Sequence, residues 1–248
     1  MKLLSLIALL ILTATGCRTT HPTCRIPVSQ LPPPPAVANL LPGEVLAQDL
    51  SFDAATGALS YSLPEPAVVR IRIGLRDGGP MLRTLADWEE QSKGPHTMAW
   101  DKKDATGQVD FSFRNDFMAV VACLALDSHA RARYDGPIKG FRKSPDPVIT
   151  FPESLPHKES GAPLVKGIVP VRITVADKDQ QWLSESKYEI SIFVDTVFLM
   201  EDEEGTSPFT YRIDTRGLGN GLHSMTVNFV GYTGEIGTAS VMFYVQNE

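Results

Sequence analysis

Long stretches of the chain alternate apolar and polar residues with period two, the spacing of a strand that buries one face. Within residues 67–76, Val69, Ile71, Ile73 and Leu75 fall on one side and Arg70, Arg72 and Arg76 on the other. Leu59, Tyr61 and Leu63 repeat the pattern after an Ala55-Thr56-Gly57 turn. Asp77-Gly78-Gly79-Pro80 reads as a hairpin turn into residues 81–85. His96, Met98 and Trp100 share one strand face, and residues 117–126 are apolar on both faces, which predicts a central strand. The second half repeats the alternation. Val169, Val171, Ile173 and Val175 form one set, and Tyr188, Ile190, Ile192 and Val194 the next. Met225, Val227 and Phe229 form a third, and Ala239, Val241, Phe243 and Val245 a fourth. Glycine-rich turns lie at 217–221 and 231–234. Short strands between frequent turns predict two all-β sandwich modules, over 47–126 and 165–248.

The segments outside these modules read differently. Residues 127–164 hold Pro137, Pro145, Pro147, Pro152, Pro156 and Pro163 with little apolar periodicity, which predicts a Pro-rich linker. A segment near 148–151 is expected to lie against a neighbour. Arg131, Arg133, Lys139, Arg142 and Lys143 read as the charge of a solvated linker. Residues 18–46 include Leu31-Pro32-Pro33-Pro34-Pro35, a polyproline II spacer rising about 3.1 Å per residue.

The start of the chain has a chemistry of its own. Lys2 precedes an apolar run at 3–12 and then Ala14-Thr15-Gly16-Cys17. About ten apolar residues cannot cross roughly 30 Å of hydrocarbon, but they suit the core of a signal peptide. Small residues directly before a cysteine resemble the lipobox of bacterial lipoproteins. The resemblance implies a signal peptide at 1–16, acyl chains such as palmitate carried by Cys17, and a tether over 17–46. Each buried methylene of such an anchor contributes about 0.8 kcal/mol. Arg18, rather than Asp, follows the cysteine, and by resemblance to Gram-negative lipoprotein sorting rules this implies the outer membrane of the bacterial cell envelope.

Composition narrows the partners. The formal net charge is −6, and removing the segment that holds Lys2 makes it one unit more acidic. An acidic chain without basic clusters is not expected to bind nucleic acid. Of the three cysteines, Cys123 lies in an apolar strand and reads as a small buried hydrophobe, while Cys24 lies in the tether. A bridge between them would tie a tether to a core strand.

Two further resemblances concern the modules. Residues 69–73, Leu82-Arg83-Thr84-Leu85 and 94–107, with Gly94-Pro95-His96, Trp100-Asp101 and Gly107, resemble the Ig-like domain of flagellar hook-capping proteins. Arg114-Asn115-Asp116-Phe117 departs from the Gly-x-Tyr usual there. Val194-Asp195, Ser207-Pro208-Phe209, Ile213-Asp214-Thr215 and Asn220-Gly221-Leu222-His223 resemble bacterial Ig-like domains of surface proteins. Thr196, Ile213 and Asn220 replace the Gly, Trp and Asp usual in that pattern. The resemblances imply two Ig-like β-sandwiches and no particular activity. Both modules also carry Gly-x-His-(Ser/Thr)-Met, at 94–98 and 221–225, an equivalent strand start in two related sandwiches.

Candidate chemistry is sparse. No Gly-x-Ser-x-Gly, His-x-x-x-His or Cys-x-x-Cys spacing occurs, and no glycine-rich phosphate loop opens a helix. His96 and His223 precede strand cores, where an imidazole caps or packs. Glu201-Asp202-Glu203-Glu204-Gly205 lacks the alternating spacing of a calcium loop and reads as a solvated hairpin. Asp101 and Asp104 read as turn formers. No catalytic residue, metal ligand or cofactor is therefore expected. Trp182, after Asp177-Lys178-Asp179-Gln180, is either a ligand contact or a cover for a sheet edge. The sequence thus predicts a non-catalytic, membrane-anchored envelope protein that binds a protein partner, adheres or acts as a spacer. The alternative is a carbohydrate-binding surface lipoprotein whose aromatic residues stack on a glycan.

Overall fold

The computed structural model describes residues 45–125, 143–232 and 234–247, and the side chain of Trp182 falls outside that description. The described residues all belong to one compact unit, Leu40–Glu248.

The first sandwich has two antiparallel three-stranded sheets. One has the order β1-β2-β5, formed by Gln48–Asp53, Ala58–Leu63 and Gly94–Ala99. The other has the order β4-β3-β6, formed by Met81–Gln91, Ala67–Leu75 and Phe117–Ala125. The alternation works as expected. Leu59, Tyr61 and Leu63 meet Val69, Ile71 and Cys123 between the sheets. Ile73, Leu75, Leu82, Trp100, Phe111 and Phe117 extend the core, with Trp100 edge-on to Phe117 at 4.9 Å. Each such side chain stabilises the fold by about 1.5–3 kcal/mol. The turn at 77–80 holds Asp77 and Gly78 at positive φ, as a tight hairpin requires.

Two expectations about this sandwich need correction. β6 is an outer strand, not a central one; β3 is central. The apolar character of β6 on both faces accompanies its pairing with fully buried β3 and the Val45 N–H, which donates to Cys123 O at 3.0 Å on its far side. β3 itself is not half-buried. Every residue of it is buried, including Arg70 and Arg72, because the second sandwich covers its outward face.

The second sandwich pairs a three-stranded sheet with a six-stranded one. The smaller sheet has the order β13-β10-β7, from Phe209–Asp214, Ile168–Val175 and Pro147–Thr150. The larger has the order β12-β11-β14-β15-β9-β8. Its strands are Val197–Asp202, Tyr188–Val194, Gly221–Gly231, Ile236–Val245, Pro163–Val165 and Leu155–Pro156. Val171, Ile173, Ile190, Ile192, Val227, Phe229 and Phe243 fill the space between the sheets. A 3-10 turn, Asp177–Asp179, and the short helix α1, Gln180–Glu185, cross from β10 to β11 and bury Leu183.

The structure places much of the expected linker inside this sandwich. β7 pairs antiparallel with β10, and β9 pairs in parallel with β15. Four strand residues or fewer are too short to show a period. Proline is tolerated at the start of β7 and β9 and on outer strand β8, so the Pro-rich composition masked real strands. Residues 127–142 of that expected linker lie outside the described residues, as do Cys17 and the tether up to residue 44.

Candidate functional site

The densest arrangement of buried polar side chains lies where the sandwiches meet. The outward face of β3 and β4 rests on the outward face of β14 and β15. Asn228, from β14, makes the central contact. Its Oδ1 accepts from Met81 N–H at 2.9 Å, and its Nδ2 donates to Met81 O at 2.8 Å. One side chain thus pairs with a main chain as a neighbouring strand would. Thr238 Oγ1 also donates to Met81 O at 2.7 Å and receives Asn228 Nδ2 at 3.0 Å. Thr226 and Ser240 hydroxyls close the next rung at 2.9 Å. Met242 reaches across to the apolar cluster around Trp100 and Leu82.

Beside this neutral half lies a charged half. Arg70 Nε donates to Asp87 at 2.5 Å, and the guanidinium lies over the Trp88 ring at 4.5 Å. Arg70 and Arg72 both donate to Gly234 O, at 3.1 and 2.8 Å. That carbonyl belongs to the turn between β14 and β15, so a loop read as a simple reversal also receives two guanidinium groups. Asp87 accepts from Ser144 N–H at 2.6 Å. Burial, and next the like charge of Arg70, push Arg72 down to about 10, against the attraction of Asp87 and Glu235. Burial lowers Arg70 as well, opposed by Asp87. Close packing seals the joint. A Cβ on Gly237 would stand 2.2 Å from Pro145 O. A cleft of about 210 Å³ remains, lined by Thr84, Asp87, Ser144, Asp146, Ile236 and Thr238 among others. At the far end Arg114 Nη1 donates to Thr196 Oγ1 at 3.2 Å.

The two Gly-x-His segments form the same local structure. Gly94 and Gly221 have φ of +115° and +135°, conformations open to glycine. His96 Nε2 is 2.7 Å from Ser92 O, and His223 Nε2 is 2.8 Å from Gly219 O, each four residues back. His96 stacks on Tyr61 and His223 on Phe243. The histidines therefore cap and pack. His223 differs in one respect: its Nδ1 lies 2.6 Å from Asp195 Oδ2. Both its ring nitrogens face acceptors, so the imidazolium alone satisfies both. Burial opposes that charge. The bonds to Asp195 and Gly219 and the Asp195 charge together outweigh it, and the His223 pKa is raised.

The remaining candidates resolve individually. Asp104 accepts from Thr106 N–H, Thr106 Oγ1 and Val109 N–H, and Asp101 from Lys103 N–H, so both shape a turn. In the acidic run, Glu201 accepts from Ser191 Oγ and Asp202 from Thr206 N–H. No three His, Cys, Asp or Glu side chains converge to hold a metal among the described residues. Cys123 is free and buried, and burial raises its thiol to about 11. Trp182 lies on α1. The sequence reading missed Arg70, Arg72, Asp87, Asn228 and Thr238 as a group. One signal was available: the outward positions Thr226, Asn228, Thr238 and Ser240 of β14 and β15 are small and neutral rather than Lys, Arg or Glu.

No known protein family matches the sequence, and no curated protein matches it. Among solved structures, the chain is similar to the endo-β-1,4-mannanase from Thermotoga petrophila, at 20% identity and a TM-score of 0.31 over 43% of this chain and 20% of that one. The chain thus spans about a fifth of that enzyme. It is also similar to the central fibronectin-III array of RIM-binding protein, at 10% identity and a TM-score of 0.27, covering 84% and 70% of the two chains. Murine CEACAM1b is similar at 10% identity and a TM-score of 0.26, covering 82% and 100%. The chain is an all-β protein of Ig-like sandwiches, as its strand pairing shows.

Proposed function

We propose that the chain is a lipid-anchored, non-catalytic protein of the bacterial cell envelope. Its two sandwiches act as one stiff arm that presents a protein-binding surface, or holds a fixed spacing, at the outer membrane. The observation that carries this reading is the buried polar joint between the modules. A flexible string of binding domains needs no such joint, because domains on a loose linker move independently. Here Asn228, Thr238, Arg70 and Arg72 fix the modules by directional bonds. An arm that positions a partner needs that stiffness, since preorganisation lowers the cost of binding. The Cys17 lipobox supports the anchor.

Two measurements test the reading. Metabolic palmitate labelling is expected on the wild type and absent from Cys17→Ser, which should leave the membrane fraction. Labelling that persists in the variant overturns the anchor. Electron–electron distance measurement between spin labels, one at Thr97 and one at Thr210, is expected to give one narrow peak. A broad distribution overturns the stiff arm.

A further inference from the structure

Two separate loops hold the His223 ring at the start of β14, and one proton decides whether it can hold both. The Asp195-Thr196 turn between β11 and β12 offers Asp195 Oδ2 to Nδ1 at 2.6 Å. The loop ahead of β14 offers Gly219 O to Nε2 at 2.8 Å. Phe243 of β15 stacks on the ring, with centroids 5.7 Å apart. Among the described groups that face the ring from these elements, Asp195 carries the charge. Asp214 and Arg216, ahead of the loop, pair with each other. Arg114, from the first sandwich, donates to Thr196 Oγ1 on the same turn. An imidazolium donates from both nitrogens, whereas a neutral imidazole donates from one.

Loss of the proton therefore leaves a lone pair against one of the two acceptors, and the surroundings select which. Asp195 is the stronger acceptor because it is a carboxylate. It is also fixed in place: its Oδ1 accepts from Ser224 N–H at 2.9 Å, and its own N–H donates to Ser224 O at 2.9 Å. Gly219 is neutral and exposed, so its carbonyl can turn to water. The chain is anchored on either side of it. Leu218 packs on the core and donates its N–H to Thr215 O at 2.9 Å, and Gly221 enters the β14 ladder opposite Val245. Between these anchors Asn220 pairs with the main chain of Asn247. Its Oδ1 accepts from Asn247 N–H at 2.7 Å, and its Nδ2 donates to Asn247 O at 3.1 Å. That pair stands directly beside the Gly219 contact.

We infer that His223 is a proton-operated latch: charged, it ties the Asp195 turn to the Gly219 loop, and neutral, it keeps Asp195 through Nδ1–H and frees residues 219–221. The inference is independent of what the arm holds. Burial opposes the charged ring, but the bonds to Asp195 and Gly219 and the Asp195 charge prevail, so the latch is closed at low pH and opens above the usual histidine value of about 6.5. The test is NMR of the full chain in detergent, with isotope-labelled histidine and main chain, at pH 5.5 and 8.5. At the higher pH the His223 ring should be neutral and carry its proton on Nδ1, the tautomer that its bond to Asp195 fixes. Protection of Asn247 N–H against hydrogen exchange, corrected for the intrinsic pH dependence, should fall about fivefold between the two, as for the loss of one neutral hydrogen bond. Protection of Asp195 N–H should not change. In His223→Gln, whose carboxamide does not titrate, Asn247 should be equally protected at both pH values. Asp195→Asn keeps a residue suited to positive φ and should lower the midpoint of the ring by about one pH unit. A neutral ring protonated on Nε2 overturns the inference. So does Asn247 protection that is the same at both pH values in the wild type, or a pH dependence that survives in His223→Gln.

Discussion

On the three-stranded sheet of the second sandwich, the outward positions Arg172, Thr210, Arg212 and Asp214 are exposed. On its six-stranded sheet, the outward positions Thr226, Asn228 and Ser240 are buried. Both sheets show the same alternation, and both outward faces are polar. What separates them is the kind of polar group. Long charged side chains stay in water, and burying one without a partner is costly. Small neutral side chains can be buried once each donor and acceptor finds a partner, and here each is matched by Met81 or by a neighbour on the sheet. The guanidinium groups at the joint come from the other side, from Arg70 and Arg72, with Asp87 beside them, and the β14–β15 turn meets them with Gly234 O and the buried Glu235.

This contrast can be broken most severely at its charged half. Arg70→Met leaves Asp87 without its buried partner and should cost about 3–5 kcal/mol, read as a lower urea midpoint. Arg172→Met, on the exposed face, should change the same midpoint by no more than about 0.5 kcal/mol. Next in size is Asn228→Leu. It strips Met81 N–H of its acceptor inside the joint and should cost about 1–3 kcal/mol. The spin-label distance distribution should broaden in this variant even where the fold survives. An unchanged, narrow distribution would mean that the joint does not depend on the amide.

A smaller effect separates the two Gly-x-His strand starts. The His223 pKa is raised in the folded state, so its stabilising contribution is full below the unfolded value near 6.5. That contribution is lost as the pH rises through the folded value. His223→Gln should therefore cost about 1 kcal/mol at pH 5.5 and less at pH 8.5, by thermal denaturation. At the other strand start the His96 ring meets Ser92 O and the Tyr61 ring. Smallest of all is Arg212→Ala, expected within about 0.5 kcal/mol of wild type by thermal denaturation, because the residue is exposed.

Much of the fold was legible because period-two alternation reports directly on a buried face. Leu59-Tyr61-Leu63, Val171-Ile173 and Val227-Phe229 lie where that rule puts them. The turn at 77–80 was legible from its glycines. Three features were not. β7, β8 and β9 are too short to show a period, and prolines hid them further. α1 has six residues, fewer than two turns, and so carries no helical stripe. The burial of the Arg70–Arg72 face is a tertiary event, since the same alternation describes a strand facing water and a strand facing another domain. The joint was hidden for that reason, although the shift from charged to small neutral outward residues along β14 and β15 marks it in retrospect. Cys17 and the side chain of Trp182 lie outside the described residues.

The span of the joint along the polypeptide has a consequence for biogenesis. Met81 meets a side chain 147 residues further on, and the last two strands, β14 and β15, supply the second half of the contact. A chain that emerges from its N-terminus completes its first sandwich long before those strands exist. Until then Arg70 and Arg72 of β3 lack the Gly234 carbonyl to which they donate in the folded protein. Docking is thus deferred until synthesis is nearly complete, and a chain truncated before β14 would lack Asn228, Thr238 and Gly234, the partners of Met81, Arg70 and Arg72.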